Sequence, residues 1–263
     1  MNDMPAYSQP ISVIIHPDCT GTETARRIQE RFPNSASSTD AESDGLTLRL
    51  DSSGLALLSG TQVLQGDFTR ILPRLKGNAL AGELLVRAAK IKDADHPLTA
   101  VDATAGLGED SFLLAAAGFH VKMYEHNPVI FELLRDAHCR GLALPELAPI
   151  LERMELFHGN SVDAMAQLET SPDVILLDPM FPERQKSALV KKKLQMIQKL
   201  EFPCVEEKEL LLTAMGANPR KLVIKRPPKG PYLADIKPDY SITGKAVRFD
   251  CFATPGSRVE KFR

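Results

Sequence analysis

Apolar and polar positions along this chain change period several times, and each change marks an element. Val174-Ile-Leu-Leu177 is a continuous apolar run between Asp173 and Asp178, the pattern of a strand buried on both faces. Similar runs predict strands at Thr99–Ala103, His120–Tyr124, Glu155–Phe157, Asp173–Leu177 and Lys221–Ile224. Helical periods lie between them. Asp110–Ala117 stops at Gly118, and a second helix opens at Asn127-Pro128 and closes at Gly141. Asparagine at the cap, proline in the first turn and glycine past the end are the expected punctuation. Ahead of this series Leu80, Ala81, Leu84, Leu85, Ala88 and Ile91 recur at three- and four-residue steps, which predicts one helix over 78–91 with Asn78 as its cap. Ser241–Ala253 carries two strand-like runs about Gly244, an antiparallel hairpin for the sheet edge.

Repeated βα units imply an α/β fold with a doubly wound, mostly parallel, Rossmann-like sheet closed by that C-terminal hairpin. We assign it residues 76–263. Residues 1–75 read differently, as a small N-terminal α/β subdomain. Ile11–Ile15 is a short strand, Thr22–Arg31 a helix, and Phe32–Asp44 a loop too polar to pack. Leu46–Leu50 alternates at period two, and Asp51-Ser-Ser-Gly54 turns it into Leu55–Leu58 as a hairpin. This part shows no catalytic pattern, and we expect it to stabilise the protein or dock its substrate.

At 263 residues the chain has room for one large domain and a small one. No apolar run approaches the roughly 20 residues of a membrane helix, and no signal peptide is evident, so a cytoplasmic protein without membrane contact is expected. Cys19, Cys139, Cys204 and Cys251 are scattered, consistent with free thiols and no metal. Charge is distributed unevenly. Residues 1–183 hold 14 Lys/Arg against 26 Asp/Glu, and residues 184–263 hold 18 against 8. Net charge therefore changes from −12 to +10 just past Pro182, which suits a polyanionic partner such as nucleic acid.

The first βα turn, Asp102-Ala-Thr-Ala-Gly106-Leu-Gly108-Glu109-Asp110, is built of small residues that let a ligand approach the backbone. Glu125, seventeen residues past Gly108, ends the next strand where ribose hydroxyls are bound. A dinucleotide site shares this plan. Here, however, Ser111 replaces the third glycine and three acids (Asp102, Glu109, Asp110) surround the turn. Like charges near 4 Å cost on the order of 1 kcal/mol or more even in a water-like medium, so a pyrophosphate is disfavoured. A cationic ligand reverses the sign, and S-adenosyl-L-methionine carries both a sulfonium and an ammonium. Glu109 and Asp110 also complement the helix dipole. Past the third strand, Asn160 and Ser161 are placed to meet an adenine, and Asn160 can cap Val162–Leu168 as well.

Asp178-Pro179-Met180-Phe181-Pro182 follows the fourth strand, and its two prolines stiffen the turn. An acid and a backbone carbonyl accepting the hydrogens of an exocyclic amine can aim its delocalised lone pair at a methyl carbon. Stacking on Phe181 would hold the base, worth roughly 1–3 kcal/mol. Catalysis of this kind is mostly positioning. Lys225 and Arg226, with Lys186 and Lys192 in the basic stretch Gln185–Lys193, supply candidate phosphate contacts; Leu189, Val190, Leu194, Ile197 and Leu200 suggest a docked helix there.

The chain resembles the RsmJ-type bacterial 16S rRNA (guanine-N2) methyltransferase family. The resemblance rests on Val101-Asp-Ala-Thr-Ala-Gly-Leu-Gly108, Glu125-His-Asn-Pro128, Leu177-Asp-Pro-Met-Phe-Pro182, Gln185-Lys-Ser-Ala-Leu-Val-Lys-Lys192 and Val223-Ile-Lys-Arg-Pro227, covering about 75–254. It implies a class I methyltransferase fold, S-adenosyl-L-methionine as cofactor, and small-subunit ribosomal RNA or the assembled 30S subunit as partner. It also implies cofactor contacts at Glu109-Asp110, Glu125-His126, Asn160-Ser161 and Asp178, beside Asp102 and Gly106 of the turn, with Asp178, Pro179 and Phe181 as catalytic residues. Glu109, His126 and Asn160 depart from the residues associated with the family. An amino methyltransferase for adenine N6 or protein glutamine remains open on the motif alone. An NAD(P)-dependent oxidoreductase and an inactive rRNA-binding module are the alternatives from other classes.

Overall fold

A computed structural model of the chain describes residues 11–33, 45–179 and 206–253. Met180, Phe181, Pro182, Lys186, Lys192, Cys204 and the helix expected around Leu189–Leu200 lie outside the described residues, as does most of the polar loop after Phe32.

Two sheets organise the described residues. The smaller one has strands β1 (Ile11–Ile15), β2 (Leu46–Asp51), β3 (Gly54–Ser59) and β4 (Gln62–Leu64) in that order. β1 runs parallel to β2, and β2, β3 and β4 form an antiparallel meander. Helix α1 (Glu23–Arg31) starts where the Thr22 hydroxyl accepts the Ala25 N–H at 3.1 Å. The three-residue β4 had too short an alternation to be seen in the sequence.

The larger sheet has seven strands: β5 (Thr99–Asp102), β6 (His120–Glu125), β7 (Met154–His158), β8 (Val174–Leu177), β9 (Lys221–Arg226), β10 (Tyr240–Thr243) and β11 (Arg248–Ala253). Their order is β10-β11-β9-β8-β5-β6-β7. β7, β6, β5, β8 and β9 are parallel, and the β10–β11 hairpin joins antiparallel to β9, as the sequence pattern predicts. All four residues of β8 are 0% exposed. Val174 and Leu176 pack on the side of Phe112–Ala115, and Ile175 and Leu177 on the side of Leu210, Leu211 and Met215. Each such side chain contributes roughly 1.5–3 kcal/mol, which is why the run has no polar position to spare.

The connecting helices are α2 (Ala79–Gly82), α3 (Leu84–Ala89), α4 (Glu109–Ala116), α5 (Pro128–Leu142), α6 (Ala148–Leu151), α7 (Ser161–Ala166) and α8 (Glu207–Gly216). Two sequence expectations need correction. The helix over 78–91 is broken at Glu83, whose backbone is extended (φ −60°, ψ 130°), and Asn78 makes no side-chain cap. Gly82 weakens the helix there, and the Glu83 carboxylate is drawn into a two-pronged pair with Arg74, both contacts 2.7 Å. Gly141 does not close α5; it lies in its last turn, where an added Cβ would sit 2.4 Å from the Leu151 side chain.

The small sheet rests on α5. Its core includes Leu107, Val129, Ile130 and Leu133 together with Leu48, Leu55 and Leu57. Asp136 of α5 accepts the buried Leu55 N–H at 2.9 Å, and Glu132 draws in Arg31 and Arg27 of α1 at 3.0 and 3.6 Å. Among the described residues no helix is long and apolar enough to cross a membrane.

Strand order reverses between β5 and β8. In open parallel sheets the crevice at the carboxyl ends of such strands is where ligands bind. Here the ends of β5, β6, β7, β8 and β9 deliver the turn after Asp102, Glu125, His158–Ser161, Asp178-Pro179 and Lys225 to one edge.

Candidate active site

The turn after β5 is held from beneath. Asp102 is 1% exposed; its carboxylate accepts the Thr104 N–H at 3.1 Å and the Ser111 hydroxyl at 2.5 Å. Burial pushes this carboxyl up to about 7, with those two donors pulling the other way. The expectation that Asp102 shows its charge to a ligand is therefore corrected. The carboxylate faces inward and fixes the turn, and Ser111, where a dinucleotide motif has glycine, is its partner. Gly106 (φ 57°) occupies a conformation that other residues resist, and a Cβ there would meet nothing among the described residues within 4 Å apart from its own chain neighbours, so among these residues the turn is open at Gly106. Gly108 (φ 77°) serves packing instead: its Cβ would lie 2.7 Å from Leu134.

Glu125 closes the turn from the side. One carboxylate oxygen accepts the Gly106 N–H at 2.9 Å and the other the Asn127 N–H at 2.7 Å. Burial pushes the Glu125 carboxyl up to about 7 against the pull of these amides. Two amide bonds leave lone pairs on both oxygens for hydroxyl donors. Asn127 in turn caps α5 through the Val129 and Ile130 amides, so the strand end, the turn and the helix are one unit. His126 and Glu109 are exposed at the rim, and Asp110 is partly buried. Gly159 N–H donates to the Glu125 carbonyl at 3.1 Å, bringing Asn160 and Ser161 alongside. Asn160 caps α7 through the Val162 amide at 3.0 Å, and Ser161 is buried.

Asp178 leaves β8 with its N–H donated to the Thr104 hydroxyl at 2.6 Å, so the two strand ends at the switch point are joined directly. Its carboxylate lies 2.9 Å from the Lys225 ammonium, which is also 2.5 Å from Asp110. Burial and the neighbouring Asp110 push Asp178 above the usual carboxylate range, while Lys225 and Arg226 oppose the rise. For Lys225 burial works against its charge, but the two carboxylates prevail and hold it protonated well above the ordinary lysine range. Asp110 and Asp178 thus share the Lys225 ammonium, and among the described residues the carboxylates of this group, with Asp102 beside them, outnumber the ammonium.

The two strand-end cations differ from expectation. Lys225 is an internal partner of Asp110 and Asp178 and not an outward phosphate contact. Arg226 is 2% exposed; its Nε–H donates to the Pro231 carbonyl at 3.0 Å and its guanidinium sits 3.5 Å from Glu207. A guanidinium with no surface cannot reach a phosphate. Sequence reading also missed Thr104 as the link to Asp178. A hydroxyl between two alanines in the turn was the signal available for it.

The described residues contain no cluster of three or more His, Cys, Asp or Glu suited to a metal. A family model for a putative SAM-dependent methyltransferase matches residues 34–254. The ribosomal RNA small subunit methyltransferase J of Marinobacter nauticus is 39% identical over 215 residues, 79% of this chain and 77% of that protein. The chain belongs to the ribosomal RNA small subunit methyltransferase J family. The protein of the same name from Thioalkalivibrio sulfidiphilus is 41% identical over 217 residues, 80% of this chain and 85% of its own length. A crystal structure of a SAM-dependent methyltransferase from Neisseria gonorrhoeae superposes with a TM-score of 0.72 at 30% identity, covering 92% of this chain and 96% of that one. The resemblance read from the sequence, the class I methyltransferase fold, methyltransferase activity and S-adenosyl-L-methionine as the cofactor are all borne out by this membership. The oxidoreductase alternative is not favoured.

Proposed function

We propose that this enzyme transfers a methyl group from S-adenosyl-L-methionine to the exocyclic N2 amine of a guanine in small-subunit (16S) ribosomal RNA. The observation that carries the reading is the position of Asp178. It stands at the end of the central strand, bonded to the open Gly106 turn through Thr104, in a group with more carboxylate than ammonium charge. Such a group fits a cofactor that brings positive charge with it. Bound there, that cofactor supplies an electrophilic methyl on sulfur. Glu125 would take the ribose hydroxyls on its remaining lone pairs, the open face of Gly106 would admit the cofactor to the backbone, and Asn160-Ser161 would meet the adenine. Contacts at Glu109, Asp110 and His126 complete the cofactor side of the reading.

On the substrate side Asp178 accepts an amine hydrogen, and the stiff Pro179 fixes the carbonyl expected to take the other. In the transfer the amine nitrogen would gain the methyl carbon while sulfur keeps the electron pair of the broken bond, and the nitrogen's proton would pass to Asp178 or to solvent. Phe181 would stack on the base, and Lys186 and Lys192 would meet the RNA backbone. We read residues 1–75 as a unit distinct from the methyltransferase domain, 76–263, supported by its separate sheet. A cytoplasmic location follows from a ribosomal substrate.

The test is transfer of labelled methyl to ribosomal RNA, naked and in 30S subunits, taken from cells lacking the protein, followed by nucleoside mapping. Label on guanine N2 is expected; label on adenine or on protein sinks the assignment. Asp178→Ala should lower kcat by at least about a hundredfold with the fold kept; near-wild-type turnover removes Asp178 from the mechanism.

A further inference from the structure

We infer that Lys225 is a positioning residue of the methyl-transfer site, whose ammonium keeps the Asp178 carboxylate ionised and oriented as an acceptor for the substrate amine. The inference rests on the methyltransferase reading of Asp178 and goes beyond it by assigning a role to a residue outside the aspartate motif.

Asp178 accepts an amine hydrogen most strongly as a carboxylate; protonated, one of its oxygens becomes a hydroxyl donor and the other a weaker, uncharged acceptor. Its surroundings favour protonation. Asp110 approaches from the start of α4 and Asp102 from the end of β5, and burial adds to both. Three cations oppose them. Arg226 acts from behind on β9, held by Pro231 and Glu207, and Arg74 acts from the segment before α2 on Asp110 while paired with Glu83. Among the described cations Lys225 alone forms an ion pair with Asp178, at 2.9 Å, and its second contact with Asp110 fixes where the ammonium sits. Anchoring matters because a lysine side chain is otherwise a flexible tether. With the Asp178 N–H also tied to Thr104, backbone and carboxylate are both held. The neutral-acid state is what the lysine prevents. Charge of this kind placed before the reaction costs nothing to reorganise during it.

Lys225→Met removes the charge, and Lys225→Gln removes it with donors retained should the methionine variant fold poorly; Lys225→Arg keeps the cation. The Asp178 carboxyl carbon, followed by NMR in aspartate-labelled protein, should titrate at higher pH in the Met or Gln variant than in wild type. The acid limb of the kcat profile should move the same way, with kcat at pH 6 down at least about tenfold and recovering toward pH 9. Lys225→Arg should restore most of both. RNA affinity should keep its dependence on salt. An unmoved Asp178 titration overturns the inference, whether or not the RNA assignment holds, because that measurement needs no substrate. A salt slope lowered by about one in the Met or Gln variant, with an unmoved acid limb, overturns it in favour of a phosphate contact.

Discussion

Glu125→Gln changes one atom and tests how the cofactor turn is built. Each Glu125 oxygen takes a backbone amide, Gly106 at 2.9 Å and Asn127 at 2.7 Å. A glutamine has one acceptor, so its NH2 must face one of those N–H groups, donor against donor. Loss of a hydrogen bond to a charged acceptor costs roughly 1.5–3 kcal/mol, and the stranded amide about 1–3 kcal/mol. The first loss falls on the ribose contact, because the NH2 that replaces one oxygen has no lone pair to offer a hydroxyl. At about 1.4 kcal/mol per factor of ten, S-adenosylhomocysteine should bind roughly 10- to 100-fold more weakly. The second falls on the fold, and the melting temperature should drop as well, since Asn127 also caps α5. Isothermal calorimetry gives the Kd and a thermal melt gives the stability. A Kd within about twofold of wild type in a folded variant would refute the reasoning and return Glu125 to a purely structural role.

Three further outcomes are expected. Burial holds Asp102 and Glu125 near 7, against about 4 in an unfolded chain, so the folded state binds protons that the unfolded state has released. The stability of the free enzyme should therefore fall as pH rises from about 4 through 7. A cationic cofactor favours the ionised acids, so the rise in melting temperature on adding S-adenosylmethionine should be larger at pH 8 than at pH 6; a pH-independent rise refutes this. Glu132→Ala strips the buried acid that Arg27 and Arg31 share, and should cost about 3 kcal/mol in urea unfolding, toward the low end for a broken buried pair because Arg31 is partly exposed. A change under about 1 kcal/mol would show that α1 is held by its apolar face alone. Gly141→Ala forces a methyl to within 2.4 Å of Leu151, and a loss of about 1–3 kcal/mol is expected from the same measurement; a neutral result would mean that α6 can shift at no cost.

Much of the fold was legible because burial writes itself into sequence. A strand covered on both faces has no room for a polar residue, so Val174–Leu177 could be read outright, and capped helices such as α5 announce their ends. The break at Glu83 was not legible. Local period favours one helix there, and the pull comes from Arg74, whose approach depends on the folded chain. Gly141 misled for a related reason: glycine is used at helix ends for its backbone freedom, but here it is used for its missing side chain.

The candidate site divides in the same way. Sequence by itself determined the kinds of groups available: a small-residue turn, an acid after β6, and an acid with proline after β8. It also determined the family, since the order of those motifs belongs to the chain. Only the tertiary structure decided what each charge faces. Asp102 turns inward to Ser111, Arg226 is covered, and Lys225 lies between Asp110 and Asp178 across 115 residues of chain. A charge in a sequence has a sign and a position along the chain but no direction. Coulomb energy falls with distance in space, and distance between strands is set by the order in which the sheet assembles them.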